Sequence, residues 1–288
     1  MTQSLHPSAA KGFGSGAELY QQVRPSYPQE IAIWLQDRLQ IGESSTVIDL
    51  GSGTGKFLPY LIQTQAKVIA VEPVAEMLQQ LQQAHPTVEC VQAFSDQLPL
   101  QNESVDAMVC AQSFHWFSNI ETLTEMHRVL KPSGHLGLVW NQRDIQVDWV
   151  RALADEIAPF EADTPRYHNE KWKQVFENQE LFRFIGLDTF QLLHRGTVEQ
   201  VVSKRLLSTS FIAAMSAEHQ QRLKARFEQI VFDFTGLSTQ DQIDFPYHFC
   251  ISFSENIKFI IDRVDHAKHQ NNICNKLCTQ HRPTAQCL

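Results

Sequence analysis

The sequence predicts an α/β protein built on a doubly wound, mostly parallel sheet with helical elements before and after it. Three observations carry this expectation. Short β-branched runs alternate with amphipathic stretches between Thr46 and Asn141, the alternation that produces parallel strands joined by crossover helices. The first run, Val47-Ile48-Asp49-Leu50, leads directly into Gly51-Ser52-Gly53-Thr54-Gly55, and glycines there permit positive φ and close approach of a ligand to the backbone. A second acid, Glu72, ends the next apolar run, about 20 residues further on, where a ribose-binding carboxylate is expected.

Taken in order, the strands fall at Thr46–Leu50, Lys67–Val71, 88–91, 105–110 and 135–140. A helix is expected to begin near Lys56, after the glycine turn. Val74, Met77, Leu78 and Leu81 form one helical stripe, and Ile120, Leu123, Met126 and Leu130 a second, each with the i, i+3/i+4, i+7 spacing of a half-buried helix. Ser118 and Glu121 have capping-box spacing at the start of the second helix, which Lys131-Pro132-Ser133-Gly134 is expected to stop. Residues 1–45 read as an N-terminal helical lid and 46–145 as the ligand-binding core. Residues 146–250 read as a mostly helical insertion with one or two strands near 184–193, completing the domain. The flanks are expected to pack over the carboxyl ends of the strands, where open α/β sheets hold ligands. From about Ile251 the text turns polar and rich in Asn and His, so 251–288 reads as a poorly packed tail in which the last sheet strand fails to form normally.

Composition narrows the partners. The chain carries a formal net charge of -8 over 288 residues and no long basic run, which excludes a nucleic-acid backbone as the main partner because phosphate binding needs clustered Lys and Arg. No stretch has the apolar length of a membrane span or of a secretory signal. The expectation is a cytoplasmic protein, monomeric or homodimeric, acting on a small molecule. The six cysteines do not form the framework of a small secreted domain and read as reduced thiols. Cys274, Cys278, His281 and Cys287 lack paired C-x-x-C spacing, so no metal is expected.

The glycine turn admits three ligands, and residue chemistry separates them. A P-loop needs Ser or Thr after its Lys, but Lys56 is followed by Phe57. A dinucleotide fingerprint needs its third glycine one residue later than Gly55. Asp49 adds the charge argument: a carboxylate beside the turn opposes a pyrophosphate and suits a ligand bearing an ammonium and a sulfonium. Glu72 can accept from two ribose hydroxyls, or stand solvated before Pro73. Asp96, before Leu98-Pro99-Leu100, can accept from an adenine amino group or belong to a surface loop.

Asp49 to Gly55, Glu72, Ser95-Asp96-Gln97-Leu98-Pro99-Leu100, Ser104-Val105-Asp106 and His127-Arg128-Val129-Leu130-Lys131-Pro132-Ser133-Gly134 together resemble the class I methyltransferases, specifically the type 11 methyltransferase domain. The resemblance spans roughly residues 46–141. Tyr20 with Arg24-Pro25-Ser26-Tyr27-Pro28, Phe114-His115-Trp116-Phe117 and Trp140-Asn141 are similar to a branch of that family acting on small molecules. The resemblance implies a seven-stranded sheet with a reversed last hairpin, and S-adenosylmethionine as cofactor. It implies that Gly51, Ser52, Gly53 and Gly55 approach the cofactor's amino-acid end, Glu72 and Pro73 its ribose, and Ser95 and Asp96 its adenine. Met77 would cover the adenine face, Gln112 would line the same site, and Tyr20 and Arg24 would reach the cofactor carboxylate from the lid. Ala93 stands where the family commonly has glycine.

Methyl transfer from a sulfonium is an in-line displacement that mainly needs alignment and exclusion of water. A base matters only where the acceptor must lose a proton. His115, after the fourth strand, is the candidate base, with a structural or substrate-positioning role as the alternative. Trp116 and Trp140, with Phe114 and Phe117, would form an apolar acceptor wall or simply core. Asn141 and Arg143 would line the acceptor pocket, Arg143 binding a substrate carboxylate or standing at the surface. His194, Arg195, Lys204 and Arg205 read as solvated faces. A non-catalytic binding protein with the same fold and an NAD-dependent oxidoreductase stay open at this point.

Overall fold

The computed structural model describes residues 23–257. Its seven strands form one sheet in the order β3-β2-β1-β4-β5-β7-β6. These are β1 (Thr46–Leu50), β2 (Lys67–Val71), β3 (Glu89–Val91), β4 (Val105–Ala111), β5 (Leu130–Arg143), β6 (Phe182–Thr197) and β7 (Gln242–Asn256). The first five pair in parallel. β7 runs antiparallel between β5 and β6. The order reverses at β1 and β4, so the carboxyl ends of these two strands open a crevice where such sheets take ligands.

Alternation along the strands builds the two apolar layers on its faces. Val47, Ala70, Ala107, Val109 and Val139 face one layer, with Leu35, Leu39, Leu58 and Leu61. Helix α1 (Ile31–Arg38) and α2 (Leu58–Gln63) belong to this side. Ile48, Leu50, Ile69, Met108, Cys110 and Leu138 face the other layer, against Leu123 and Met126. Those two come from α4 (Ile120–Val129), which follows α3 (Ala75–Ala84) in the chain. A third cluster joins α5 (Asp148–Ile157) and α6 (Ala217–Thr235) to Phe245 and Tyr247 of β7. Each buried Leu, Ile or Phe contributes about 1.5–3 kcal/mol, so both faces of the sheet are fully used.

Five boundaries differ from expectation. Regular helix begins at Leu58, two residues after Lys56, because the turn 51–57 continues through Phe57. The cap of α4 is Asn119, whose Oδ1 accepts the Thr122 N–H at 2.8 Å; Ser118 lies one residue outside. Ile120 is 48% exposed, and Leu130 leaves the helix to open β5, pairing with Val105. The Lys131-Pro132-Ser133-Gly134 turn is therefore absorbed as an irregularity in the β4–β5 ladder, with Ser133 at φ 58°. The fifth concerns the end of the sheet. β7 forms normally and runs to Asn256, so residues 251–256 are paired strand and not tail. Asn256 Nδ2 donates to the carbonyls of Leu130 and Lys131. Pro246 is tolerated because it lies at the end of the β5 ladder, one residue past the Arg143–Tyr247 pair, where its carbonyl still accepts from Asp144 N–H at 3.0 Å. Residues 258–288, with Cys274, Cys278, His281 and Cys287, lie outside the described residues.

Candidate active site

The glycine turn is fixed by β2. Gly51 and Ser52 donate N–H bonds to the Val71 carbonyl at 2.8 and 3.0 Å, and Ser52 Oγ donates to the Asp49 carbonyl. Gly51, Gly53 and Gly55 all have positive φ (71°, 56° and 83°), a conformation that side chains disfavour. Their surroundings differ. A Cβ on Gly51 would meet the Ser113 side chain at 2.7 Å, and one on Gly55 would meet Leu81 and His85 at 3.0 Å. A Cβ on Gly53 would meet only the Met77 sulfur, at 3.9 Å. Gly51 and Gly55 therefore admit core packing, whereas Gly53 keeps the backbone open to the crevice.

A cavity opens at this point. Asp49, Gly51, Ser52, Gly53, Glu72, Pro73, Met77, Ser95 and Gln112 line it, together with Arg24, Trp116 and Asn141. Gly55 and Asp96 do not; Gly55 packs on α3, and Asp96 follows Ser95 outside the lining. Tyr20 lies outside the described residues. Sequence reasoning passed over Tyr27, Thr54, Lys56, Val74 and Ser113 as lining residues, and read Arg205, also a lining residue, as solvated. Tyr27 stood within a quoted motif, and Lys56 occupied the fingerprint position, but neither side chain announced its direction.

The two acids behave differently. Glu72 is buried, and its carboxylate accepts from Gly53 N–H at 2.8 Å and Val74 N–H at 3.0 Å. Burial raises its pKa, and these two N–H groups partly offset the rise. Asp49 is 1% exposed, and neither of its carboxylate oxygens has a hydrogen-bond partner among the described residues. Burial first, and the nearby Glu72 second, push its pKa up to about 8. A buried carboxylate without a donor is costly, and it is complementary to a cationic ligand group seated in the same cavity.

The aromatic run lies behind the Trp116 edge of this cavity. Residues Phe114–Trp116 form a short 3-10 turn. Phe114 and Trp140 are core, Trp140 packing against Tyr167 and Trp172 with ring centroids 4.8 and 4.5 Å away. The Trp140 indole N–H donates to His115 Nδ1 at 3.2 Å. Indole is only a donor, so Nδ1 carries the lone pair and the neutral ring holds its proton on Nε2. Burial, with Arg166, Arg24 and His168, lowers the His115 pKa to about 3. In this state the ring is a hydrogen-bond donor and a poor proton acceptor. His115 itself is not among the cavity-lining residues.

Asn141 and Arg143 end β5. Asn141 Nδ2 donates to the Ser26 carbonyl at 3.1 Å, tying the N-terminal flank to the sheet. Arg24 similarly donates to the Ser208 carbonyl at 2.8 Å. Of the four charges read as solvated, Arg195 is exposed and pairs with Asp244, and Lys204 is 44% exposed. Arg205 and His194 depart from that reading. Arg205 is 8% exposed, and His194 Nδ1 is buried without a partner among the described residues. For Arg205 the reason is local: residues Glu199–Lys204 form a π-helix, whose wider turn shifts the residue after it relative to an α-helical count; His194 lies in β6, where Tyr247 of β7 packs near its ring. Among the described residues no group of three His, Cys, Asp or Glu side chains could hold a metal, and no helix is long and apolar enough to cross a membrane.

Comparison with known proteins follows the same lines. A family profile described as a methyltransferase domain matches residues 48–138. An uncharacterised methyltransferase-like protein of Schizosaccharomyces pombe is 36% identical over 238 residues, 82% of this chain and 92% of the relative. An uncharacterised methyltransferase of Mycobacterium bovis is 36% identical over 186 residues, 60% of this chain and 75% of its own length. Among solved structures, a putative type II methyltransferase from Anaeromyxobacter dehalogenans superposes with a TM-score of 0.60 at 20% identity, covering 81% of this chain and 97% of that one. A putative methyltransferase from an antibiotic biosynthesis pathway of Anabaena variabilis gives 0.55 at 21% identity, with 81% and 99% covered.

Proposed function

Because the chain belongs to the type 11 family of class I methyltransferases, we propose that it transfers a methyl group from S-adenosylmethionine to a small-molecule acceptor by in-line displacement. The single observation that carries the cofactor is Asp49: two buried carboxylate oxygens, without donors among the described residues, facing the cavity beside the glycine turn. A ligand ammonium supplies the missing donors, and a pyrophosphate would add repulsion.

In this reading Asp49 holds the amino group, and the open backbone at Gly53 lets the amino-acid end lie against the turn. Glu72 takes the ribose hydroxyls; its two backbone bonds hold the carboxylate in place for them. Pro73, Val74 and Met77 cover one face of the adenine, with Ser95 and Phe94 at its edge and Gln112 nearby. Arg24 is the candidate for the cofactor carboxylate, with Tyr20 in support. The cofactor supplies an electrophilic methyl group on a positively charged sulfur. The chain aligns donor and acceptor and excludes water.

His115 acts here as a positioning group. Its Nε2–H is the available donor, and a ring whose pKa is about 3 does not remove protons at neutral pH. Trp116 and Asn141 line the acceptor side. The acidic net charge and lack of a basic run favour a small molecule over a nucleic acid. The test is calorimetric titration of the folded protein with S-adenosylhomocysteine, followed by a screen of metabolites for methyl transfer. Saturable binding of the cofactor and turnover of an acceptor are expected. Failure of folded protein to bind it refutes the donor, and binding without any turnover points to a non-catalytic role.

A further inference from the structure

Three guanidinium groups gather where the second half of the chain closes over the sheet. Arg143 ends β5 opposite Tyr247 of β7. Arg205 opens the short helix Arg205–Leu207 and lines the cavity. Arg166, its side chain 19% exposed, lies over the Phe211 ring at 5.6 Å. They act on one another: burial, then Arg166 and Arg205, lower the Arg143 pKa to about 10, and burial and Arg205 bring Arg166 down despite Glu161. An acid lies beside them: Glu161, 3.8 Å from Arg166 and already 2.9 Å from His168. Arg143 Nη1, Arg205 Nε and the Tyr247 hydroxyl are buried with no partner among the described residues.

Three guanidinium cations against the Glu161 carboxylate, with Lys56 also coupled to Arg205, leave a surplus of at least two positive charges in a poorly solvated place. Such a surplus is costly unless something negative completes it. Guanidinium forks match planar and tetrahedral oxyanions bidentately. Resting on the methyltransferase reading for the identity of the adjoining cavity, we propose that Arg143, Arg166 and Arg205 form the seat of the methyl acceptor, and that the acceptor is a small dianion. Its oxyanions come from carboxylates or from a phosphate ester. Tyr247 adds a hydroxyl donor, and Glu161 offsets one of the positive charges.

The test titrates full-length protein, with and without S-adenosylhomocysteine, with succinate, inorganic phosphate and the neutral dimethyl succinate. Succinate or phosphate should bind the loaded protein, the one that binds identifying the oxyanion source, and the neutral ester should not. Arg166→Met, at a partly exposed position, should weaken that binding at least tenfold while S-adenosylhomocysteine affinity stays within twofold. Glu161→Gln should tighten it severalfold, a change in the opposite direction that loss of structure does not produce. The proposal is overturned if neither anion binds, if binding ignores both substitutions, or if the anion only displaces S-adenosylhomocysteine. Should S-adenosylhomocysteine itself fail to bind, the donor reading falls, and the arm without it still decides the seat by the same substitutions.

Discussion

Replacing Asp49 by Asn should weaken the cofactor while strengthening the empty fold. In the ligand-free protein the Asp49 pKa is pushed up to about 8 from its ordinary value of 3.8. An unfolded chain therefore releases this proton near pH 4 and the folded chain keeps it until about pH 8. Relative stability is present below pH 4, falls as pH rises through that window, and levels off above it. At pH 7 the loss amounts to roughly 4 kcal/mol, from about 3 pH units at ~1.4 kcal/mol each. Asn has no proton to lose, so Asp49→Asn should melt higher than the parent at pH 7, by up to that amount, with the gap narrowing toward pH 4. Cofactor binding runs the other way. A buried carboxylate–ammonium contact is worth about 2–5 kcal/mol when one partner is removed. Ionising Asp49 at pH 7 costs ~1.4 kcal/mol of it, leaving a weakening of roughly threefold to a few hundredfold. Because only ionised Asp49 pairs with the ammonium, parent affinity for S-adenosylhomocysteine should rise on the order of 50-fold from pH 6 to pH 8, with proton release. Calorimetry at pH 6, 7 and 8 in buffers of differing ionisation heat reads both effects, and thermal melting reads the first. A flat parent affinity across that range, or unchanged affinity in Asp49→Asn, refutes the reasoning.

Gly51→Ala and Gly53→Ala should separate fold from binding. The first drives a Cβ to 2.7 Å from Ser113 and should lower stability by about 1–3 kcal/mol in chemical denaturation, whereas the second should cost about 1 kcal/mol from its φ alone yet weaken S-adenosylhomocysteine at least tenfold. For His115→Asn, whose side-chain oxygen can still accept the Trp140 N–H, the kcat profile at saturating cofactor should keep its shape between pH 5.5 and 7.5; loss of an inflection near 6.5 would restore His115 as a base. Asn256→Ala should destabilise by about 1–3 kcal/mol through the buried Leu130 and Lys131 carbonyls it leaves without their donor, and an unchanged denaturation midpoint would mean that β7 ends earlier than Asn256.

How far the sequence can be read depends on whether the deciding force is local. β1 and β2 match their expected bounds because an apolar run, then an acid, then glycine or proline marks both ends. The α3 stripe of Met77, Leu78 and Leu81 is buried as spacing requires. The cap of α4 was displaced by one residue because Ser118 and Asn119 are both good caps, and only tertiary packing chose between them. Arg205 was legible as a charge but not as a buried one, since a π-helical turn before it breaks the 3.6-residue count. β7 was obscured by Pro246 and by polar residues alternating with Phe245, Tyr247, Phe249 and Ile251, a pattern that makes sense only once β5 and β6 flank it.

The same division runs through the site. Asp49 and Gly53 could be named because the chemistry of the turn is written in consecutive residues, and Glu72 because it closes the next apolar run. Their electrostatic difference could not, because the bonds that occupy Glu72 and leave Asp49 open come from the way the turn folds back on β2 and the start of α3. His115 shows the converse: its position was legible, but its protonation is set by Trp140, 25 residues away, and by arginines from both flanks.

The most direct measurement is a crystal structure of the protein grown with S-adenosylhomocysteine at pH 8. The ligand's amino group should lie within hydrogen-bond distance, about 3 Å, of Asp49, with its ribose on Glu72 and its amino-acid end along Gly53. Clear density for the ligand with its amino group away from Asp49, or for a protein side chain paired with Asp49 in its place, would contradict the assignment.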